Sequence, residues 1–392
     1  MRIGIIAHLK YPIREPFAGG LEMYTHFLAR SLRTRGHEVT VFASTRSDAS
    51  LGTEAICDET ALDACGTDEA DDEAFFREHH AYLSLMNDLR HRRFDIVHDN
   101  SLHYLPVTMA DALPMPMVST LHTPPFAWLE SGVRLSRQNN VTYVPISRSV
   151  ERAWSAITPV SAIISNGIDL QRFAFQPQPD ASRYWIWYGR VVPEKGLHFA
   201  IDAAKLAGVP LKFAGPLCDR AYYDREIAPR LHDGVSYLGH LDHDHLAREI
   251  GGASAYLCTP CWEEPFGLVV AEALACGVPV AAFARGAIPE IIDAQSGVLA
   301  RPDDPADLAA AGLAAQTLSR IACRRRAEQR CDAEMMIDGY EELYRRLASH
   351  PRATAITQFK STARRLTPLI QPSPIQVPAA PSPPLSSEIT AR

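Results

Sequence analysis

AYLCTPCWEEPFGLVVAEALACGVPVAAF, Ala255–Phe283, contains the unit that decides the fold. Ala255–Cys258 and Val278–Phe283 are short apolar runs of strand type. Between them Pro265 and Gly267 break the chain, and Leu268–Ala275 reads as a dry helix. Two strands joined through a helix form a parallel crossover, since parallel strands need a long connection. The alternation continues outward. Tyr184–Tyr188, Leu211–Ala214 and Val235–Leu238 supply more strands of this half. Ile3–Ala7, Glu38–Ala43, Asp95–His98, Met117–His122, Thr142–Ile146 and Ala162–Ser165 supply an earlier set. Gly20–Arg35 is helical, with Leu21, Tyr24, Leu28 and Leu32 on one face and Gly36 as its stop. Strands alternating with helices imply parallel sheets covered on both faces.

A chain of 392 residues exceeds what one hydrophobic core holds. The expected architecture is α/β, two Rossmann-like domains facing each other across a cleft. Asp169–Arg183, DLQRFAFQPQPDASR, interrupts the pattern and is read as the linker. The domains are then residues 1–168 and 184–350, the last helix packing back on the N-terminal domain. Seven of the last 27 residues are Pro, so residues 366–392 read as a disordered tail.

The net charge of −7 gives no whole-chain electrostatic case for nucleic acid or an anionic membrane. Between Glu54 and Glu78 ten acids stand against Arg77 alone, a run read as a solvated loop or helix face. No uncharged apolar run reaches the ~18 residues of a membrane span, and the opening apolar run is too short for a signal peptide. Eight cysteines without framework spacing fit reduced thiols, so a soluble cytoplasmic protein is expected.

Three motifs carry chemistry. In the opening stretch, Glu264 lies in the loop before the helix and Glu272 inside it. The amides of Phe266, Gly267 and Leu268 are helix-start donors suited to phosphate or sugar oxygens. In YGRVVPEKGLHFAIDAA, Tyr188–Ala204, Arg190 and Lys195 bracket a turn before a second helix, an arrangement suited to a diphosphate. Only five of the 39 basic residues are lysines, so Lys195 is not the default cation. In AGGLEMYTHFLA, Ala18–Ala29, Gly19 and Gly20 allow close backbone approach at a third helix start. Neither a G-x-G-x-x-G nor a P-loop pattern occurs.

Together with DIVHDN, STLHTPP, VPISRSV, ISNGIDLQRF and RGAIPEII, these motifs resemble glycosyltransferase family 4, retaining enzymes of GT-B fold. The resemblance runs from Arg2 to about Leu347. WEEPFG with TLHTPP looks most like the subgroup that decorates the oligosaccharide antibiotic avilamycin. It implies a hexose-type sugar moved from a UDP- or GDP-sugar to a hydroxyl acceptor, a saccharide or small molecule, by a metal-independent front-face mechanism. Arg190 and Lys195 then hold the diphosphate, helped by Gly20 across the cleft. Glu272 binds ribose, while Glu264 with the Phe266 and Gly267 amides holds the transferred sugar. His122 stands beside the anomeric carbon, Gly239 and His240 approach the base, and the loop Arg285–Glu290 closes near the donor. No metal or other cofactor is implied.

Other readings remain open on the residues alone. A catalytically idle nucleotide-sugar binder could use the same scaffold, and a glycosidase could use the paired carboxylates at a suitable separation. A pyridoxal-phosphate phosphorylase would need a further phosphate-pocket lysine that the chain does not offer. His240–His245 suggests a metal cluster, yet Asp242 fits better as a helix cap. Cys258 and Cys261 have redox spacing but read as a strand end and its loop. His8 reads as packed or as a substrate neighbour, and His98 and Asp99 could line the cleft. Arg352, Lys360, Arg364 and Arg365 form a basic patch without an apolar face for membrane docking.

Overall fold

Aliphatic and β-branched runs form two separate six-stranded sheets, every pairing parallel. The computed structural model describes residues 1–60, 68–136 and 140–349. The expected tail and the basic patch from Arg352 lie outside those residues.

The N-terminal lobe contains β1 (Arg2–Ile6), β2 (Glu38–Ser44), β3 (Thr53–Cys57), β4 (Ile96–Asp99), β5 (Met117–Leu121) and β6 (Val141–Pro145). Their order is β3-β2-β1-β4-β5-β6. The C-terminal lobe contains β7 (Trp185–Tyr188), β8 (Leu211–Ala214), β9 (Val235–Tyr237), β10 (Ala255–Cys258), β11 (Val280–Phe283) and β12 (Gly297–Ala300), in the order β12-β11-β10-β7-β8-β9. Both sheets thus have the same doubly wound order. In each, the winding reverses beside the first strand of the half, at β1/β4 and at β7/β10. Loops leaving strand ends at such a reversal diverge and open a crevice.

Central strands are buried on both faces, as β1, β4, β5, β7, β10 and β11 show. The two strands that sequence reading missed, β3 and β12, lie at sheet edges; no residue of β3 is fully buried and β12 is buried only at its two ends, which weakens their apolar signal. The expected strand Ala162–Ser165 does not form. Ser161 and Ile164 donate single bonds to Tyr143 and Pro145 of β6, without a continuous ladder. Pro145 has no N–H to return.

The helix Ala333–Ser349 packs on the N-terminal lobe. Met336, Ile337, Tyr340 and Tyr344 share a core with Ile3, Ile5, Val41 and Ile96. The Tyr344 and Tyr340 hydroxyls meet His98 Nδ1 and Thr120 Oγ1 at 2.5 and 2.9 Å. The chain therefore crosses between lobes twice, and the two crossings lie side by side. Ile168 forms a parallel bridge with Asp332, and its N–H and C=O bond to Cys331 O and Ala333 N. A Cβ at Gly167 would lie 2.3 Å from the Ala333 Cα, so only glycine fits beside this second crossing.

Candidate active site

The cleft between the lobes encloses about 780 Å³, within the range of small-molecule sites. Loops after β1, β5, β7 and β10 line it. Of the residues singled out in the sequence, Gly19, Gly20, His122, Arg190, Lys195, Glu264, Phe266, Gly267, Leu268 and Glu272 are all in that lining. Gly239 is not. Its carbonyl accepts from the Gly215 amide, and the lining there runs from His240 to His243.

Two helix starts meet across the cleft. The first helix, Gly20–Thr34, begins after Gly19; the helix Leu268–Ala275 begins after Gly267, which takes a left-handed φ of +100°. A Cβ at Gly20 would lie 2.8 Å from Leu268 Cδ1. Glycine at position 20 leaves room there for the Leu268 side-chain tip. The amides of Phe266, Gly267 and Leu268 make no backbone hydrogen bond among the described residues. They form a ready set of donors for an anion.

Lys195 and Glu264, 69 positions apart in sequence, form one unit. Lys195 Nζ donates to Glu264 Oε2 at 2.7 Å, and Trp262 Nε1 donates to the same oxygen at 3.1 Å. The ammonium also lies 5.4 Å from the Trp262 ring centroid. Arg190 is more open, 3.7 Å from Glu194. Glu272 is buried, and burial pushes its carboxyl up to about 7. The neighbouring Tyr188 hydroxyl pulls the other way while donating to the Val269 carbonyl. A carboxyl so placed readily exchanges its missing solvent for a ligand's hydroxyls.

His122 follows β5. Its Nε2–H donates to Asn100 Oδ1 at 2.9 Å, and its ring meets Tyr24 edge-on at 4.7 Å. Burial, with His8 nearby, holds the imidazole down at about 3, so it is neutral. His8 also lines the cleft, 3.3 Å from Glu22 in the first helix. His98 and Asp99 do not line it. His98 lies between Thr120 and Tyr344, and Asp99 accepts from the Ser101 amide and Ser119 hydroxyl.

The loop Arg285–Glu290 departs from expectation. None of it lines the cleft. Its Ala287 amide donates to Glu264 O, and Gly286 packs where a Cβ would strike the Glu264 backbone at 2.2 Å. Glu290 caps the helix Arg148–Trp154 of the other lobe, accepting from the Arg148 and Ser149 amides at 2.9 and 2.8 Å. Ser147 Oγ donates to Pro265 O at 2.7 Å. The loop thus shapes the Glu264 turn from behind and ties it to the opposite lobe.

Sequence reading assigned no role to Glu22, Trp262, Ser147 or Asn166. The Asn166 side-chain oxygen is buried without a hydrogen-bond partner beside the cleft. No local sequence pattern singled it out. Asp242 caps the helix His243–Gly252 by accepting from the His245 amide at 2.9 Å, which accounts for the histidine-rich run. Among the described residues no three His, Cys, Asp or Glu side chains converge as a metal set. Cys258 is the buried end of β10, and the described cysteines form no disulfide.

The paired sheets and interlobe cleft have the GT-B architecture. A family model described as Glycosyltransferase Family 4 matches residues 18–172, and one described as Glycosyl transferases group 1 matches residues 182–317. The chain belongs to the family 4 type of GT-B glycosyltransferases. It is 28% identical over 340 residues to a glycogen synthase of Mycobacterium tuberculosis, covering 75% of this chain and 81% of that protein. It is likewise 28% identical over 337 residues to a phosphatidyl-myo-inositol mannosyltransferase of the same species, covering 80% and 86%. In fold it is similar to AviGT4, a glycosyltransferase involved in avilamycin A biosynthesis, with TM-score 0.64, 22% identity, and 89% and 98% of the two chains covered. Anabaena HepE in complex with UDP and glucose aligns with TM-score 0.68 and 18% identity, over 88% and 100%. No described helix is long and apolar enough to cross a membrane.

Proposed function

We propose that the protein moves a hexose-type sugar from a UDP- or GDP-sugar to a hydroxyl acceptor, with retention at the anomeric carbon and without a metal ion. The observation carrying this reading is the meeting of the Gly20 and Leu268 helix starts in one cleft with Arg190, Lys195, Glu264 and Glu272. UDP and glucose occupy HepE, whose fold this chain shares.

In this reading the diphosphate rests between Arg190, Lys195 and the two helix starts. Glu272 accepts the ribose hydroxyls, and Glu264 with the Phe266 and Gly267 amides holds the sugar. The N-terminal lobe, residues 1–168, presents the acceptor. As the anomeric C–O bond breaks, its electron pair passes to the diphosphate, where cations and helix starts stabilise the charge. The acceptor oxygen bonds to the same face of that carbon, and its proton passes to the departing phosphate oxygen. Lys195, held by Glu264 without donor, turns to the phosphate as the charge grows. His122, neutral and fixed by Asn100, orients the reacting sugar. We place the reaction in the cytoplasm, in keeping with the free described thiols.

The test is a screen of UDP- and GDP-hexoses for hydrolysis and transfer, with the product's anomeric proton read by NMR. Retained configuration and turnover unaffected by chelator are expected. An inverted product overturns the mechanism, and nucleotide binding without any turnover points to an idle binder.

A further inference from the structure

Trp262 touches both halves of the Lys195–Glu264 ion pair. Its indole N–H and the Lys195 ammonium donate to the same oxygen, Glu264 Oε2, at 3.1 and 2.7 Å. The ammonium also lies 5.4 Å from the indole ring centroid. All three side chains line the cleft. Glu264 Oε1 has no hydrogen-bond partner among the described residues, so the carboxylate keeps one oxygen for a ligand.

The loops carrying these side chains are fastened to each other. Thr259 Oγ1 donates to the Lys195 carbonyl at 2.9 Å, and the Cys261 amide donates to the Glu194 carbonyl at 2.8 Å. Gly196, at a left-handed φ of +67°, leaves no room for a Cβ, which would lie 2.1 Å from Thr259 O. With the backbone held, Lys195 reaches a diphosphate by turning its flexible four-carbon stem. The indole, with two torsions and no charge, stays where it is. When the ammonium leaves, Glu264 loses one donor, and its side chain is only 14% exposed. A carboxylate in that setting without donors is costly. The indole N–H, a donor only, offsets that cost and shares the charge that grips the ammonium.

We propose that Trp262 is a positioning residue for the transfer: its N–H anchors Glu264 while Lys195 turns from the carboxylate to the diphosphate. The ammonium is thereby released to the growing charge rather than locked in its pair. The proposal rests on the glycosyltransferase reading and adds the residue that lets Lys195 exchange partners.

The experiment follows the indole N–H resonance of Trp262, one of five tryptophans, by NMR of the full chain carrying isotope-labelled tryptophan. Its loss in Trp262→Phe identifies it. UDP, GDP and inorganic pyrophosphate are titrated without acceptor. With each that binds, the resonance should move by more than its linewidth in wild type and far less in Lys195→Ala, where no ammonium leaves. Kinetics on the donor found by the screen give the second readout. Trp262→Phe keeps the ring and loses the donor, so kcat should fall about tenfold while donor KM changes less than about twofold. Trp262→Leu, which loses the ring as well, should fall at least as far; it stands in if the first variant does not fold. The role is overturned by a bound ligand that leaves the resonance in place, by an equal shift in Lys195→Ala, or by variants whose kcat is wild-type or whose loss lies in KM alone. No binding of UDP, GDP or pyrophosphate would instead strike the glycosyltransferase reading itself, and the role of Trp262 would fall with it.

Discussion

β1 and β7 occupy the same place in their sheets, yet the loops leaving them differ. After β7 the chain presents Arg190 and Lys195, answered after β10 by Glu264. After β1 it presents His8, Gly19 and Gly20, answered after β5 by a neutral His122. One topology thus yields one wall carrying Arg190, Lys195 and Glu264 and another carrying the Gly19–Gly20 helix start, Glu22 and a neutral His122. The strand reversal supplies a crevice; the chemistry depends on which side chains each loop carries.

The sharpest test of the first wall is Lys195→Ala, expected to lower kcat ~10²–10³-fold with donor affinity changed far less. Steady-state kinetics with separate donor titration check it, and unchanged turnover would shift the pyrophosphate load to the helix starts. On the opposite wall, His122→Ala should lower kcat about 10²-fold through lost orientation. Its pH profile should keep the wild-type shape over roughly pH 5–8, because the imidazole is already neutral there.

Glu272→Gln gives a smaller, pH-dependent effect, about tenfold weaker donor binding at high pH and less below neutrality. The sign follows from its carboxyl standing at about 7 in the fold, above the 4.5 of the unfolded chain. Between those values the unfolded chain has lost the proton and the fold retains it, so stability of the free protein falls as pH rises. Glu272→Gln should therefore raise the melting temperature of the donor-free protein at pH 8 and change it little near pH 4. An equal change at both would contradict the buried-carboxyl account. Smallest is Gly20→Ala. Leu268 Cδ1 is a flexible tip and can move, so melting should hardly change. Widening the helix contact should raise donor KM about two- to fivefold, a loss of under ~1 kcal/mol.

Legibility in the sequence follows the same division. The helix Leu268–Ala275 was readable to its ends because a turn, a glycine and a dry run coincide locally. Arg190, Lys195 and the two glutamates stood out by residue type and spacing. The edge strands β3 and β12 were lost because their middles are incompletely buried, and Ala162–Ser165 misled because apolar β-branched residues also cover a returning helix. The Lys195–Glu264 pair, the Glu290 cap and the Phe75–Trp128 contact join residues 69, more than 140 and 53 positions apart. No periodicity encodes such meetings; they exist only once both sheets are built.

The bridge between Ile168 and Asp332 constrains how the enzyme can breathe. Two covalent spans lashed together at one point act as the spine of a book. Opening about that spine must release the Ser147–Pro265 bond and the Glu290 cap, whereas sliding or corkscrew displacement would tear the lashing apart as well. Mouth width is then governed by essentially one angle, and anything wedged near the spine would set it for the whole molecule.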